Sequence, residues 1–220
     1  MISVLCPTRA RPAAFRRMVT SVFATTNDDV EILGGLTHGD TSEYEPLPHT
    51  TYYTFEERVR PPAIWNALAA VSSGDMLVMI GDDCVLETEG WDETVRAGVP
   101  SDGIYVAYTD TGTQGMRCYH PIVGRGFYEA CGLLFPEIFD HFFVDPWIED
   151  VARRAGRLYP FGDLVMRHLN VSTGLSPHDA VSKRNRLHAE RDRRTFHDPD
   201  TVKLRARWAE RVTAAIRRAT

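Results

Sequence analysis

Met76-Leu77-Val78-Met79-Ile80-Gly81-Asp82-Asp83 sets five consecutive apolar residues in front of a glycine and two adjacent carboxylates. A strand with one wet face alternates apolar and polar, whereas an unbroken apolar run is the pattern of a strand covered on both faces. The run therefore predicts a buried central strand that stops at Gly81-Asp82-Asp83. Just upstream, Ala63 to Val71 has helical spacing, with Ile64, Leu68 and Val71 on one face and Ser72-Ser73-Gly74 closing it. At the start of the chain, Ile2 to Cys6 reads as a short strand. Pro7-Thr8-Arg9-Ala10-Arg11-Pro12 breaks it, and a helix is expected from Ala13 to Thr25. A second strand, Val30 to Leu36, runs into the polar turn His38-Gly39-Asp40-Thr41-Ser42, and a third is expected at Thr50 to Phe55. Strands alternating with helices at this spacing predict an α/β fold: a mostly parallel sheet flanked by helices, with ligands beyond the carboxyl ends of its strands. Each polar turn just named lies at such an end.

After Trp91 the order becomes mixed. A strand is expected at Ile104 to Tyr108, helices near Gly126 to Cys131 and at Pro146 to Ala155, and a strand at Leu164 to His168. From Pro177 the chain reads as charged helix, divided around His197-Asp198-Pro199-Asp200. This organisation gives one main domain over residues 1–178, with halves at 1–90 and 91–178, and a helical extension over 179–220.

With 220 residues and 43% hydrophobic composition, the chain is large enough to bury a substantial core. Cys6, Cys84, Cys118 and Cys131 are widely spaced, with no CxxC pair and no leader, which fits reduced thiols in a cytoplasm. No apolar run approaches the roughly 20 residues of a membrane span. The net charge of −5 is unevenly distributed: residues 181–220 hold twelve Lys/Arg against five Asp/Glu, a local +7, which leaves −12 for the rest. A basic tail can be a footprint for phosphate backbones, but Arg-rich terminal helices more often form a solvated face packed on an acidic body. There is no GxxxxGK[ST] loop, no HExxH and no GxSxG. Gly124-Arg125-Gly126 lacks the third glycine of a dinucleotide fingerprint.

Asp82-Asp83 is the sharpest chemical signal. Adjacent carboxylates raise each other's protonation cost, and they stay ionised most easily around a cation or strong hydrogen-bond donors. Oxygen donors of this kind suit Mg²⁺ or Mn²⁺ bridging to a diphosphate. The plainer reading is an Asp-Asp turn that ends a strand.

Taken in order, the motifs resemble those of the GT-A glycosyltransferases, specifically nucleotide-sugar enzymes like glycosyltransferase family 2 and a branch of small versions encoded by bacteriophages. The resemblance spans roughly residues 2–180. Ser3 to Pro12 resembles the first strand and nucleotide-binding loop, and Trp65-Asn66 the helix before the metal strand. Met79-Ile80-Gly81-Asp82-Asp83 is similar to the DxD region. His120-Pro121-Ile122-Val123-Gly124-Arg125, then Gly132, then Phe143 to Asp150, resembles the acceptor-side segment with its catalytic base. Val165 to Asn170 resembles the strand that brings a late histidine to the metal.

The resemblance implies a mixed, mostly parallel Rossmann-like GT-A sheet with a basic helical tail. It assigns Asp82 to the ribose, Asp83 to Mn²⁺ or Mg²⁺, and His168 to the same ion, although a lone histidine is more often structural. It places Pro7, Thr8, Arg9, Arg11 and Asn66 at the nucleotide sugar, with Asp40 near the base, where a turn-forming Asp is nearly as good a reading. Arginine pairs bidentately with phosphate oxygens, which fits Arg9 and Arg11; exposed loop residues are the commoner reading. Asp145 is the implied base, with Glu149 and Asp150 as substitutes. Val144 stands where the family usually has Glu, and Asp145 ahead of Pro146 also reads as a helix N-cap. His120, Arg125 and Trp147 fall where the acceptor would approach.

The implied activity is metal-dependent, inverting transfer of a sugar from a nucleoside diphosphate sugar, a UDP-sugar first among them, to an acceptor hydroxyl. A phage-type enzyme with a basic tail, working in a host cytoplasm, implies a hydroxymethylated pyrimidine in DNA as acceptor, extruded from the stack. The alternatives are a saccharide, lipid-linked or protein acceptor, a nucleotidyltransferase, or a binding module without turnover.

Overall fold

The computed structural model describes residues 1–37, 43–57, 59–113, 115–169, 174–175 and 187–219. Its sheet grows from the apolar run. Strand β4 (Met76–Met79) pairs in parallel with β1 (Ile2–Thr8), which pairs in parallel with β2 (Val30–Thr37), which in turn carries β3 (Thr50–Phe55). On its other side β4 meets the short antiparallel strand β7 (Ile122–Gly124), followed by β6 (Val106–Asp110), β8 (Leu158–His168) and β5 (Cys84–Leu86). The order is β3-β2-β1-β4-β7-β6-β8-β5, mixed because β7 opposes both its neighbours and β5 opposes β8.

Both faces of the sheet are covered, which explains the missing alternation in β4. Leu77 and Met79 join one core cluster, and Met76, Val78 and Ile80 join the other. Helices α1 (Pro12–Thr25) and α3 (Trp91–Gly98) cover the second cluster with Phe15, Met18, Val22 and Trp91. The first is covered by α2 (Pro61–Val71), α4 (Arg125–Cys131), α5 (Val144–Arg154) and the C-terminal α7 (Pro199–Ala219). Proline at the first turn of α1, α2 and α7 marks each start, where its missing N–H removes no helical bond.

The C-terminal extension is thus built into the core. Trp208, Ala209 and Val212 of α7 are buried, and the Trp208 and Trp147 rings meet edge to face with centroids 5.4 Å apart. The remaining helix, α6 (Ala189–His197), carries Asp192, which is fully buried although it stands in the run Arg191-Asp192-Arg193-Arg194. Its carboxylate accepts the backbone N–H groups of Asp140, His141 and Phe142 at 2.9, 2.8 and 2.8 Å. Three charge-assisted bonds make an ionised carboxylate tolerable in a dry site. They clamp the loop that leads into α5.

Several elements differ from the sequence reading. Strand β8 begins at Leu158 and not Leu164, because its pairing with β6 continues through an irregularity from Thr109↔Phe161 to Asp110↔Val165, which leaves Gly162, Asp163 and Leu164 without partners on β6. Helix α5 begins at Val144, so Asp145 lies in its first turn. The N-cap position belongs to Phe143, in the left-handed region at φ 67°. Asp145 is therefore not the N-cap that Asp-Pro suggests. Among the described residues, no helix is long and apolar enough to cross a membrane. All four cysteines are free and buried.

Candidate active site

The two aspartates after β4 have different surroundings. Asp82 is 5% exposed, and its carboxylate accepts bonds from Thr8 Oγ1 at 2.7 Å and Arg11 Nη1 at 3.1 Å. Thr8 Oγ1 also lies 2.8 Å from Tyr44 Oη, which accepts the Arg11 backbone N–H at 3.2 Å. Burial pushes the Asp82 carboxyl up to about 6, with Arg11 opposing. Asp83 points the other way, to the last residue of β8. The register of β5 on β8 sets Cys84 opposite His168, the Leu169 N–H donates to the Asp83 carbonyl at 2.7 Å, and His168 Nε2 lies 3.2 Å from Asp83 Oδ1. Burial would raise the Asp83 carboxyl, but His168, His120 and Arg11 together outweigh it and hold it below its ordinary range. Arg11 Nη1, 3.7 Å from Asp83 Oδ2, thus faces both carboxylates.

Gly81 makes this approach possible. A Cβ there would stand 2.7 Å from Asp83 Oδ1 and 3.3 Å from His120 Cε1, closer than side chains approach. His120 arrives on the segment whose Pro121 carbonyl accepts the Met79 N–H at 3.0 Å. Its ring meets that of His168 edge to face with centroids 4.5 Å apart. Burial pushes the His120 imidazole down to about 3, so it is neutral.

These residues fit a divalent cation. Two donors side by side on one ion, with bonds of about 2.1 Å, are separated by about 3.0 Å in octahedral and about 3.4 Å in tetrahedral geometry. The 3.2 Å between Asp83 Oδ1 and His168 Nε2 lies within that interval. One carboxylate and one imidazole also leave open positions for diphosphate oxygens and water.

Asp145, in the first turn of α5, lines a cleft of about 280 Å³ together with Arg117, Tyr119, Glu149, Arg153 and Phe196. Burial pushes its carboxyl up to about 7, with His168 opposing and Glu149 adding to the rise. No ion pair or hydrogen bond engages its side chain among the described residues. Its two substitutes are engaged: Glu149 pairs with Arg153, and Asp150 accepts from Arg154 at 2.8 Å and Arg205 at 2.7 Å. Asp145 thus has an unengaged carboxylate among the described residues and a proton affinity raised toward neutral pH.

The structure thus brings Thr8, Arg11, Asp82, Asp83, His120 and His168 together at the carboxyl end of β4, with Asp145 near enough to feel the charge of His168. Pro7 and Arg9 flank Thr8 at the carboxyl end of β1, where Pro7 pairs opposite Gly35 and the Arg9 side chain turns to Glu57 at 2.8 Å. Other expected residues lie elsewhere. Asn66 uses its amide on the backbone of Leu134 and Phe135 and on Glu137, bracing that loop. Arg125 sits at the opposite end of β4, where it donates to the carbonyls of Ala69, Ser72 and Gly74 that end α2; it caps a helix rather than facing an acceptor. Trp147 is fully buried between Phe139 and Trp208 and offers no surface to a ligand. Asp40 lies outside the described residues. The sequence reading missed Tyr44 and Asp192. Tyr44 follows a polar turn without any motif, and Asp192 is disguised by the arginines around it.

No protein-family model matches the chain, and no curated protein matches its sequence. Solved structures do match its fold. The mannosyltransferase PcManGT from Pyrobaculum calidifontis, in complex with GDP-Man and Mn²⁺, matches with a TM-score of 0.61 at 12% identity, over 99% of this chain and 74% of that one. S. aureus TarS 1-349 in complex with UDP-GlcNAc matches with a TM-score of 0.61 at 11% identity, over 97% and 72%. Against the longer S. aureus TarS structure, at a TM-score of 0.57 and 11% identity, the match takes in 75% of this chain and 36% of that one. The chain therefore spans about a third of that structure's length. Likeness at such identities is likeness of fold. The chain has the Rossmann-like GT-A architecture of these glycosyltransferases.

Proposed function

We propose that this chain transfers a sugar from a nucleoside diphosphate sugar to an acceptor hydroxyl, with a divalent cation and inversion at the anomeric carbon. The observation that carries the reading is the convergence of Asp82, Asp83 and His168 where β4 ends, each in a distinct electrostatic setting. Asp83 and His168 would hold Mn²⁺ or Mg²⁺, which when bound stabilises the negative charge of the departing diphosphate. Arg11, on the nucleotide-side loop, adds a cation facing the same carboxylates. Asp82, anchored by Thr8 and Arg11, is set to accept hydroxyl hydrogen bonds from a ribose. Asp145 takes the proton of the acceptor hydroxyl as its oxygen bonds to the anomeric carbon and the bond to the diphosphate oxygen breaks. We assign residues 1–178 to this transferase unit, donor side over 1–90 and acceptor side over 91–178, with 179–220 as the extension that braces it.

The paired arginines support an acceptor without a polyphosphate backbone. Arg191 pairs with Asp140, Arg193 and Arg194 pair with Glu190, and Arg205 pairs with Asp150, so these four of the twelve basic residues in 181–220 neutralise carboxylates of their own chain. A saccharide acceptor is the reading this favours over hydroxymethylated DNA.

The direct test incubates the protein and Mn²⁺ with a panel of UDP- and GDP-sugars and candidate saccharide, lipid-linked and modified-DNA acceptors, followed by mass spectrometry. Slow release of nucleoside diphosphate without acceptor, lost in Asp83→Asn, is the expected minimum. Undiminished release in that variant overturns the reading.

A further inference from the structure

One polar atom at this site has no role in the mechanism above. His120 Nε2 is buried and makes no hydrogen bond, the kind of group that proteins rarely leave unpaired. The backbone of the same residue is in the left-handed region, at φ 50°, which is unfavourable for a residue with a Cβ. Two unfavourable features in one residue call for a compensating interaction. The surroundings indicate which kind. Asp83 Oδ1 and His120 Cε1 flank the same face of Gly81. One ring nitrogen each from His120 and His168, together with Cys84 Sγ, lie within 4.8 Å of one another.

We propose that His120 is a third protein ligand, beside Asp83 and His168, of the divalent cation used in the transfer, and that its imidazole biases the site toward a transition-metal ion such as Mn²⁺ over Mg²⁺. The inference rests on the function proposed above, which by itself requires only Asp83 and His168. Neutral imidazole is a good ligand for first-row transition ions, whereas Mg²⁺ prefers an all-oxygen shell. Two imidazoles and one carboxylate occupy one side of an ion and leave its other side to diphosphate oxygens and water. Cys84 belongs to the core and not to this set: it is fully buried beneath the site among the apolar residues of one cluster, and thiol sulfur is a poor match for Mn²⁺. The edge-to-face contact with His168 packs the two rings against each other beside Asp83.

Pulsed electron paramagnetic resonance of the full chain loaded with MnCl2 alone counts the bound nitrogens. The expected spectrum shows two inequivalent histidine nitrogens. His120→Asn, whose new residue tolerates a left-handed backbone, removes one of them and weakens Mn²⁺ binding in calorimetry by about tenfold or more, with a smaller change for Mg²⁺. Cys84→Ser keeps both nitrogens. A single nitrogen in the unaltered protein overturns the inference whether or not the variant folds. Unchanged Mn²⁺ affinity in a folded His120→Asn protein, or loss of binding in Cys84→Ser alone, overturns it equally. In each of these outcomes the proposed function stands, whereas a protein that binds neither Mn²⁺ nor Mg²⁺ loses both.

Discussion

Replacing Asp145 by Asn should stabilise the protein while removing its activity, and the size of the gain should follow pH. In the native state burial pushes the Asp145 carboxyl to about 7, against 3.8 for an ordinary aspartate. At about 1.4 kcal/mol per pH unit, this gap makes the ionised side chain about 4 kcal/mol less favourable in the folded protein than in the unfolded one. The sign follows from linkage. A carboxyl with a raised native pKa binds more protons folded than unfolded between the two values, so stability falls as pH rises from about 4 to about 7 and is level above that. Asparagine has no such dependence. The advantage of Asp145→Asn should therefore be about 2 kcal/mol at pH 5 and about 4 kcal/mol at pH 8. For a chain of this length that is about 4–8 °C and about 8–16 °C in melting temperature. The assay is thermal unfolding of both proteins in chelator from pH 5 to 8.5, where other titrating groups cancel in the difference, paired with turnover at pH 8. Turnover should drop by about 10² or more, as expected when a general base is lost. An advantage of the variant over the unaltered protein that is no greater at pH 8 than at pH 5 would refute the idea that this carboxyl is held desolvated as a base.

Three further outcomes test other parts of the structure. Asp192→Ala leaves three buried N–H groups without their acceptor and should lower stability in urea by about 3 kcal/mol, with Asp192→Asn losing less because its carbonyl oxygen can still accept. Gly81→Ala forces the Asp83 carboxylate away from a Cβ that would stand 2.7 Å from it. Its effect should fall on Mn²⁺ affinity and turnover, with a melting temperature close to that of the unaltered protein. Changing Arg191, Arg193 and Arg194 together to Ala should leave the salt dependence of any DNA binding unchanged and the melting temperature close to that of the unaltered protein, since their ion pairs are on exposed side chains. A shallower salt slope in that variant would restore the tail as a DNA contact.

The nucleotide-side half was the more legible part of the chain. Its strands β1, β2 and β4 are buried on both faces, which writes itself as an uninterrupted apolar run in β4 and a nearly continuous one in β1 and β2, and proline marks the start of α1 and of α2. The strands not foreseen, β5 and β7, are three residues long, too short for any periodicity. The first half of β8 contains Pro160, Gly162 and Asp163, residues that signal a turn and here form an irregularly paired strand. At the site, Asp82, Asp83, Thr8 and Arg11 could be read because strand ends are where ligand-binding residues collect. Asn66, Arg125 and Trp147 show the limit of motif reading. Each occupies the right position in the chain, yet its side chain braces a loop, caps a helix or fills the core. Asp192 gave no signal, because nothing local separates a buried carboxylate among arginines from a solvated one.

The clamp at Asp192 also bears on the order in which the protein can assemble during synthesis. The carboxylate is made 50 to 52 residues after the loop amides it holds. A chain emerging from the ribosome can thus complete the sheet from β1 to β4, and with it the nucleotide-side pocket, well before that loop acquires its fastening. The loop that leads into α5 can take its final hold only after Asp192 has been made.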